Sequence, residues 1–572
     1  MQKRKFSITP QNLTGLIAVV FFAWFILSFL IIPNIHTIAS VFFKNGSFTT
    51  EYLVKLVHSE KAMRSLRNSM ILAPSLSLTV GFIGISIVLI TEYFDIKGSK
   101  ILRLGYMTTL IYGGIILVSG YKFIYGSNGI LTGVLASIFP DFPINWFHGY
   151  WAVLFVMTFA CTSNHMIFLR NAMRTIDYQT VEAARNMGAS QWYILFRIVL
   201  PVLTPSLLAV TILTFITGLA ATSAPLLVGG TEFQTITPMI LNFANTTTSR
   251  PLAALLAIIL GISTIILLSV MIHIEKKGHY MSVSKVKTTI IKQKIQNPVL
   301  NIIIHIYAYI LFAIYTLPVI LVILFSFTDA ATIASRKLTL RSFTLKNYIS
   351  VFQTASSWRP FLVSILFSVV ASAAVALIVL WACRLIQKKA KLSSALEYGL
   401  LIPWLLPSTL LALGLITTYN VPRFWMFEKV LTGTAFIMMI GYIIIKLPFT
   451  LRMTKAAFFA LDTSLEDAAR NLGARSIYTF VKVQLPVILP TVMAIFALNF
   501  NSLLQDYDMS VFLYHPLLMP LGVYIKSLTD AETNADNAAL TFVYAVMMML
   551  ISGVVLYLVY GRENRKVKLI EK

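Results

Sequence analysis

The sequence predicts an all-α, polytopic membrane protein: about twelve transmembrane helices in two homologous halves of about six helices each. Three observations lead there. The 572 residues are 57% apolar and only 12% charged, with a mean hydropathy of +0.80. Apolar runs long enough to cross a bilayer recur along the whole chain. A loop in the first half returns, in register, in the second.

So few charges cannot solvate the surface of a water-soluble protein, in which about a quarter of residues are charged. The apolar surface therefore faces lipid. The 46 Lys and Arg against 22 Asp and Glu give a net charge of +24. These cations cluster in short loops between apolar runs, the pattern of cytoplasmic loops rather than of a nucleic-acid surface, and no nucleic-acid partner is expected. Cys161 and Cys383 lie in or near apolar runs with no metal-ligand spacing and read as small buried residues. The eight histidines are scattered.

The expected spans are 13–33, 68–91, 101–125, 150–169, 199–222, 251–273, 300–327, 361–383, 396–419, 434–451, 486–512 and 537–559. Helices are required, because none of these runs has the alternating period of a membrane barrel. Loop cations set the orientation: Lys97, Lys100 and Arg103, then Arg170, Arg185 and Arg197, and later Arg384 and Lys388 mark the cytoplasmic side. Both termini are then cytoplasmic. Residues 1–274 form the first half, 275–299 a basic cytoplasmic linker that could also touch anionic lipid, and 300–572 the second half.

The repeat reads DYQTVEAARNMGASQWYILFRIVLPVLTP from Asp177 to Pro205 and DTSLEDAARNLGARSIYTFVKVQLPVILP from Asp462 to Pro490. An offset of 285 residues relates both ends. At that offset Asp177, Ala183, Ala184, Arg185, Asn186, Gly188, Ala189, Tyr193, Leu200, Pro201, Val202 and Pro205 recur identically. Asp177 and Asp462 are candidate N-caps of short helices, and Gly188 and Gly473 suit the left-handed residue that ends them. Paired alanines leave a small-sided face that another protein can approach. Leu-Pro is placed to open the next span. Such a helix is a docking element, not a catalytic site.

These loops resemble the EAA motif of binding-protein-dependent importer permeases: E-A-A, three residues, Gly, nine residues, then I-x-L-P. The first copy carries Glu182, Ala183, Ala184, Gly188, Ile198, Leu200 and Pro201. The second has Asp467, Ala468, Ala469 and Gly473, with Asp467 in place of Glu and Val483 in place of Ile. The resemblance covers both halves and implies the fused permease of a type I ABC importer in a bacterial cytoplasmic membrane. It implies that loops 177–201 and 462–486 couple to a separate ATPase through Glu182, Ala183, Ala184, Arg185, Gly188, Asp467, Ala468, Ala469, Arg470 and Gly473. The near-equal halves suit two copies of one ATPase, which would hold the ATP-Mg. An external solute-binding protein would deliver the cargo.

A shorter resemblance, over Ala224-Pro225-Leu226-Leu227-Val228-Gly229-Gly230, Phe233–Thr237 and Met509–Tyr514, is to ferric-iron-type permeases, a group with relatives for 2-aminoethylphosphonate, thiamine and polyamines. It implies ferric iron as the first cargo to consider. Candidate pathway residues are Glu232, Gln505, Asp506 and Asp508, whose oxygens suit a hard cation; solvated loop positions are the other reading. Asn499, Asn501 and Ser502 either line a pathway or bond neighbouring helices.

No phosphate-binding loop G-x-x-x-x-G-K-[ST] occurs in the chain, so ATP hydrolysis and any cofactor are expected on a partner. The rival class is an ion-coupled secondary transporter. It fits less well, since both repeat copies read as cytoplasmic whereas that class commonly uses inverted repeats.

Overall fold

The computed structural model describes residues 10–44, 46–173, 176, 178–246, 248–277, 292–335, 339–387, 393–459, 461, 463–530 and 535–570. The N-cap positions Asp177 and Asp462, most of the basic linker, and Lys388 lie outside the described residues.

Among the described residues, ten helices are long and apolar enough to cross a membrane: Ile17–Phe42, Glu60–Tyr93, Gly149–Met173, Gln191–Leu219, Arg250–Val270, Pro298–Ser326, Ala355–Gln387, Ala435–Phe459, Ile477–Leu504 and Asp536–Val559. The two other expected spans, 101–125 and 396–419, are not straight. Ser99–Leu110 and Gly114–Ile138 are bent by 115° at their junction, and Ser393–Leu405 and Ser408–Tyr419 by 105°. The first bend falls where Gly114 takes a φ of +58°, open to a residue without Cβ. The second falls at Pro407, which has no N–H to continue a helix and holds an extended ψ of 148°.

The chain forms two compact units assembled across its sequence halves. One joins Met1–Tyr52 to Trp358–Val523 and Leu550–Lys572; the other joins Leu53–Ser357 to Tyr524–Met549. The first span of each half thus packs with the body of the other half. In the first unit Phe22, Phe25, Phe29 and Leu30 share a buried core with Phe367, Ala371, Val375, Leu415 and Ile444. The Tyr419 hydroxyl donates to the Ser28 carbonyl at 2.5 Å, and the Thr37 and Thr417 hydroxyls meet at 3.1 Å. Such bonds satisfy polar groups that lipid cannot.

In the second unit helices Glu60–Val88, Gly149–Met173 and Leu200–Leu219 pack on one another. Helix Pro298–Ser326 lies against Ser99–Tyr106 and Gly114–Tyr125. Tyr106 donates to the Ala308 carbonyl at 2.7 Å, and Tyr121 to the Ile314 carbonyl at 3.2 Å.

Candidate functional site

Each repeat copy builds a nine-residue helix, Tyr178–Asn186 in one unit and Thr463–Asn471 in the other. Both end in the same hydrogen-bond pattern. The Ala189 N–H donates to the Ala184 carbonyl at 3.0 Å and the Gly188 N–H to the Arg185 carbonyl at 2.9 Å. In the second copy Ala474 donates to Ala469 at 3.0 Å and Gly473 to Arg470 at 2.9 Å. These are the paired six-to-one and five-to-two bonds of a Schellman cap. The cap requires a left-handed residue, and Gly188 and Gly473 have φ of +84° and +81°.

Val181 (4% exposed) and Ala184 (7%) form the seated side of the first helix, while Glu182, Ala183 and Arg185 are exposed. In the second, Asp467, Ala468 and Arg470 are exposed and Ala469 is half-buried. Its anchor is polar: Glu466 pairs with Arg470 at 3.1 Å and accepts from the Gln484 amide at 3.0 Å.

Two exposed residues escaped the sequence reading. Met187 (81% exposed) and Leu472 (89%) occupy the same position just before each capping glycine. Both are large apolar side chains left open at one register of the repeat. Their signal was available, since both are apolar at one register of the repeat.

Leu-Pro does not open the following helix from a loop. Each helix starts earlier, at Gln191 and Ser476, and passes through a π-turn, Leu195–Val199 and Phe480–Gln484, before Leu200-Pro201 and Leu485-Pro486. Leu200 donates to the Leu195 carbonyl and Leu485 to the Phe480 carbonyl, the wide ring of a π-helix. Prolines 201 and 486 follow directly, and the N–H each lacks leaves the regular ladder interrupted there.

The end of the basic linker is docked beside the first of these helices. Gln293 donates to the Tyr93 carbonyl at 2.8 Å and accepts from Asp95 at 2.9 Å, and the Gln191 amide donates to the Lys294 carbonyl at 3.1 Å. Lys292 donates to Ser99 at 2.6 Å. Burial pulls the Lys292 ammonium below the usual lysine range, with Arg103 and Lys100 adding to this and Glu92 and Asp95 opposing it. A cleft of about 610 Å³ lies among Arg185, Ser190, Gln191, Lys292 and Gln296.

The expected pathway residues fall in both units. Glu232 is largely exposed, 3.9 Å from the His148 ring. Gln505 donates to the Ser552 hydroxyl at 3.4 Å, and Asp506 accepts from the Ser510 N–H at 2.9 Å, capping the short turn Ser510–Leu513. Asp508 is half-buried in the same turn region. Asn499 donates to Thr450 at 2.7 Å and Asn501 to the Ser552 carbonyl at 3.4 Å.

Ionisable groups on spanning helices that the sequence reading passed over include Lys446, whose Nζ donates to Ser502 at 2.5 Å, and the Glu397–Lys455 pair; Arg170, read as a loop cation, lies on helix Gly149–Met173 and pairs with Glu92 at 2.9 Å.

Spanning helices that carry two matched, capped, solvent-facing helices fit a membrane transport component. The chain belongs to the ABC transporter permeases, membrane transport subunits rather than enzymes. The family described as binding-protein-dependent transport system inner membrane component matches residues 15–277. The probable ABC transporter permease protein of Sinorhizobium fredii is 37% identical over 542 residues, covering 94% of each chain. The ferric transport system permease protein of Actinobacillus pleuropneumoniae is 22% identical over 96% of this chain and 78% of that protein. A Salmonella typhi permease protein provisionally assigned to 2-aminoethylphosphonate transport is 27% identical over 41% of this chain and 89% of that protein. The chain is thus a multi-pass inner-membrane protein with both permease halves on one polypeptide.

Proposed function

We propose that this chain is the permease subunit of an ATP-driven importer, and that helices Tyr178–Asn186 and Thr463–Asn471 are its coupling helices. The observation that carries the reading is the paired geometry: two helices with identical Schellman caps and an exposed apolar residue before each glycine. A separate ATPase, present as two copies of one protein, grips both through Glu182, Ala183, Ala184 and Arg185 and through Asp467, Ala468, Ala469 and Arg470. ATP-Mg binds on that partner. Its closure switches the permease from inward- to outward-facing, and an external solute-binding protein then releases cargo into it. Both termini lie in the cytoplasm.

Two cargo readings are favoured by different relatives. Ferric iron is supported by likeness to a ferric permease along 96% of this chain. 2-Aminoethylphosphonate is supported by higher identity, 27%, over 41% of it.

The test is sided thiol labelling of Ala183→Cys and Ala468→Cys in intact cells and in inverted vesicles. Both positions should react from the cytoplasmic side alone and be shielded when the ATPase is bound. Labelling of one from the outer side would sink the proposal, because one motor could not then hold both.

A further inference from the structure

Lys446 lies near the middle of helix Ala435–Phe459. At 1.5 Å per residue its Cα is roughly 16 Å from one end of the helix and roughly 20 Å from the other. A charge held at that depth faces protein or a water-filled cavity, not lipid.

The surroundings of Lys446 are polar. Its Nζ donates to the Ser502 hydroxyl at 2.5 Å, on helix Leu485–Leu504. Asp506 follows four residues after Ser502, just past the end of that helix, where its carboxylate accepts from the Ser510 N–H at 2.9 Å. Ser502 is exposed, and Lys446 and Asp506 are half-buried, so the cluster opens on the surface of its unit instead of being sealed in the core. The Asn499–Thr450 hydrogen bond, at 2.7 Å, extends the polar strip between the same two helices.

An ion pair that merely joins two helices is the competing account, and the repeat argues against it. At the offset of 285 residues, Lys446, Ser502 and Asp506 correspond to Cys161, Thr217 and Ala221. The first half packs its equivalent helices, Gly149–Met173 and Leu200–Leu219, on each other without any of these charges. Its Thr217 hydroxyl donates to its own helix, to the Leu213 carbonyl at 2.9 Å. The helix pairing therefore does not require Lys446 or Asp506, and a charge kept in a span without a packing need is a functional candidate.

We propose that Lys446, Ser502 and Asp506 form a solute-contact site for a small zwitterion. Lys446 and Ser502 take its oxyanion, a phosphonate, phosphate or carboxylate, and Asp506 faces its ammonium group. A bare trivalent cation is repelled by Lys446, so of the two cargo readings the site favours the aminophosphonate. The inference rests on the importer reading and narrows its cargo class.

The experiment uses the complete transporter, with its ATPase and binding protein, in proteoliposomes. ATP-dependent uptake of radiolabelled 2-aminoethylphosphonate and of radiolabelled ferric ion is measured for wild type, Lys446→Met, Lys446→Arg and Asp506→Asn. Aminophosphonate uptake is expected. Lys446→Met should lose on the order of 10- to 100-fold at sub-saturating solute, the effect of one charge-assisted hydrogen bond, and Lys446→Arg should retain most of it. Lys446→Met removes a charge from a span, so its thermal midpoint in detergent should match or exceed wild type; Lys446→Gln serves if it does not fold. Uptake of ferric ion without aminophosphonate, or wild-type uptake by Lys446→Met, overturns this site and leaves the importer intact. ATP-dependent uptake of neither solute overturns this site and both cargo readings, while an importer reading that fails shows instead as absence of solute-stimulated ATP hydrolysis with any cargo.

Discussion

The Gln484 amide donates to the Glu466 carboxylate at 3.0 Å, tying helix Thr463–Asn471 to the π-turn that follows it. The first half seats the same two positions with Val181 and Val199, both buried. One repeat thus anchors its short helix by apolar packing and the other by a charged hydrogen bond.

That difference gives the first prediction. Glu466→Val leaves Gln484, only 8% exposed, without its partner and should cost about 1–3 kcal/mol. The Arg470 contact is solvent-facing and adds little. Glu466→Val with Gln484→Val installs the pair of the first half and should recover most of the loss. Thermal unfolding of the purified protein in detergent measures both. A double variant no more stable than Glu466→Val would show that the two positions are not coupled.

The capping glycines give the second. A Cβ at Gly188 or Gly473 meets open space, so the cost of substitution is conformational alone. Alanine should destabilise each cap by about 1–2 kcal/mol, and a β-branched residue by more. Gly188→Asn should be milder, because asparagine tolerates the left-handed region. The sensitive readout is ATP-driven uptake in the complete transporter: Gly188→Val with Gly473→Val should lower it severely while leaving the amount of protein in the membrane near wild type. Normal uptake by that variant would remove these helices from the coupling role.

Much of this was legible in the sequence because the repeat duplicates its own signal. Twelve identities at one offset located the two repeat helices and their capping glycines. The bends at Gly114 and Pro407 were not legible, since hydropathy summed over a spanning window is blind to one residue that redirects the backbone. Nor was the exchange of first spans: the apolar face presented by Phe22, Phe25 and Phe29 records that it will be buried, not which half buries it. Lys446 was legible in principle, as a lone charge in the run GYIIIKLPFTL.

Lys292 gives a pH dependence for the docked linker end. Its pKa in the fold is lowered, chiefly by burial, so the folded state disfavours the charged form. Below the lowered pKa both docked and undocked forms are protonated, and docking bears the full desolvation penalty. As pH rises through the lowered value toward the usual lysine range, the penalty disappears and docking strengthens. A spin label at Gln296→Cys should therefore become less mobile over that window. In Lys292→Met the same label should be pH-independent there. Mobility that rises with pH in the wild-type background would reverse the sign and refute the assignment to Lys292.

Met187 and Leu472 give the last prediction, which separates coupling from folding. Both side chains are exposed, so replacing them with aspartate removes almost no buried apolar area and should change stability by no more than about 0.5 kcal/mol. If each enters an apolar pocket of the ATPase, a carboxylate there is desolvated without a partner, at a cost of several kcal/mol to the complex. Met187→Asp and Leu472→Asp should therefore each weaken co-purification of the ATPase, and together abolish it, while the permease alone unfolds at its wild-type temperature. Because the two positions are equivalent in the repeat, the single variants should weaken it comparably. Full retention of the ATPase by the double variant would mean that the motor holds some other surface, and the register of Met187 with Leu472 would then be an accident of duplication.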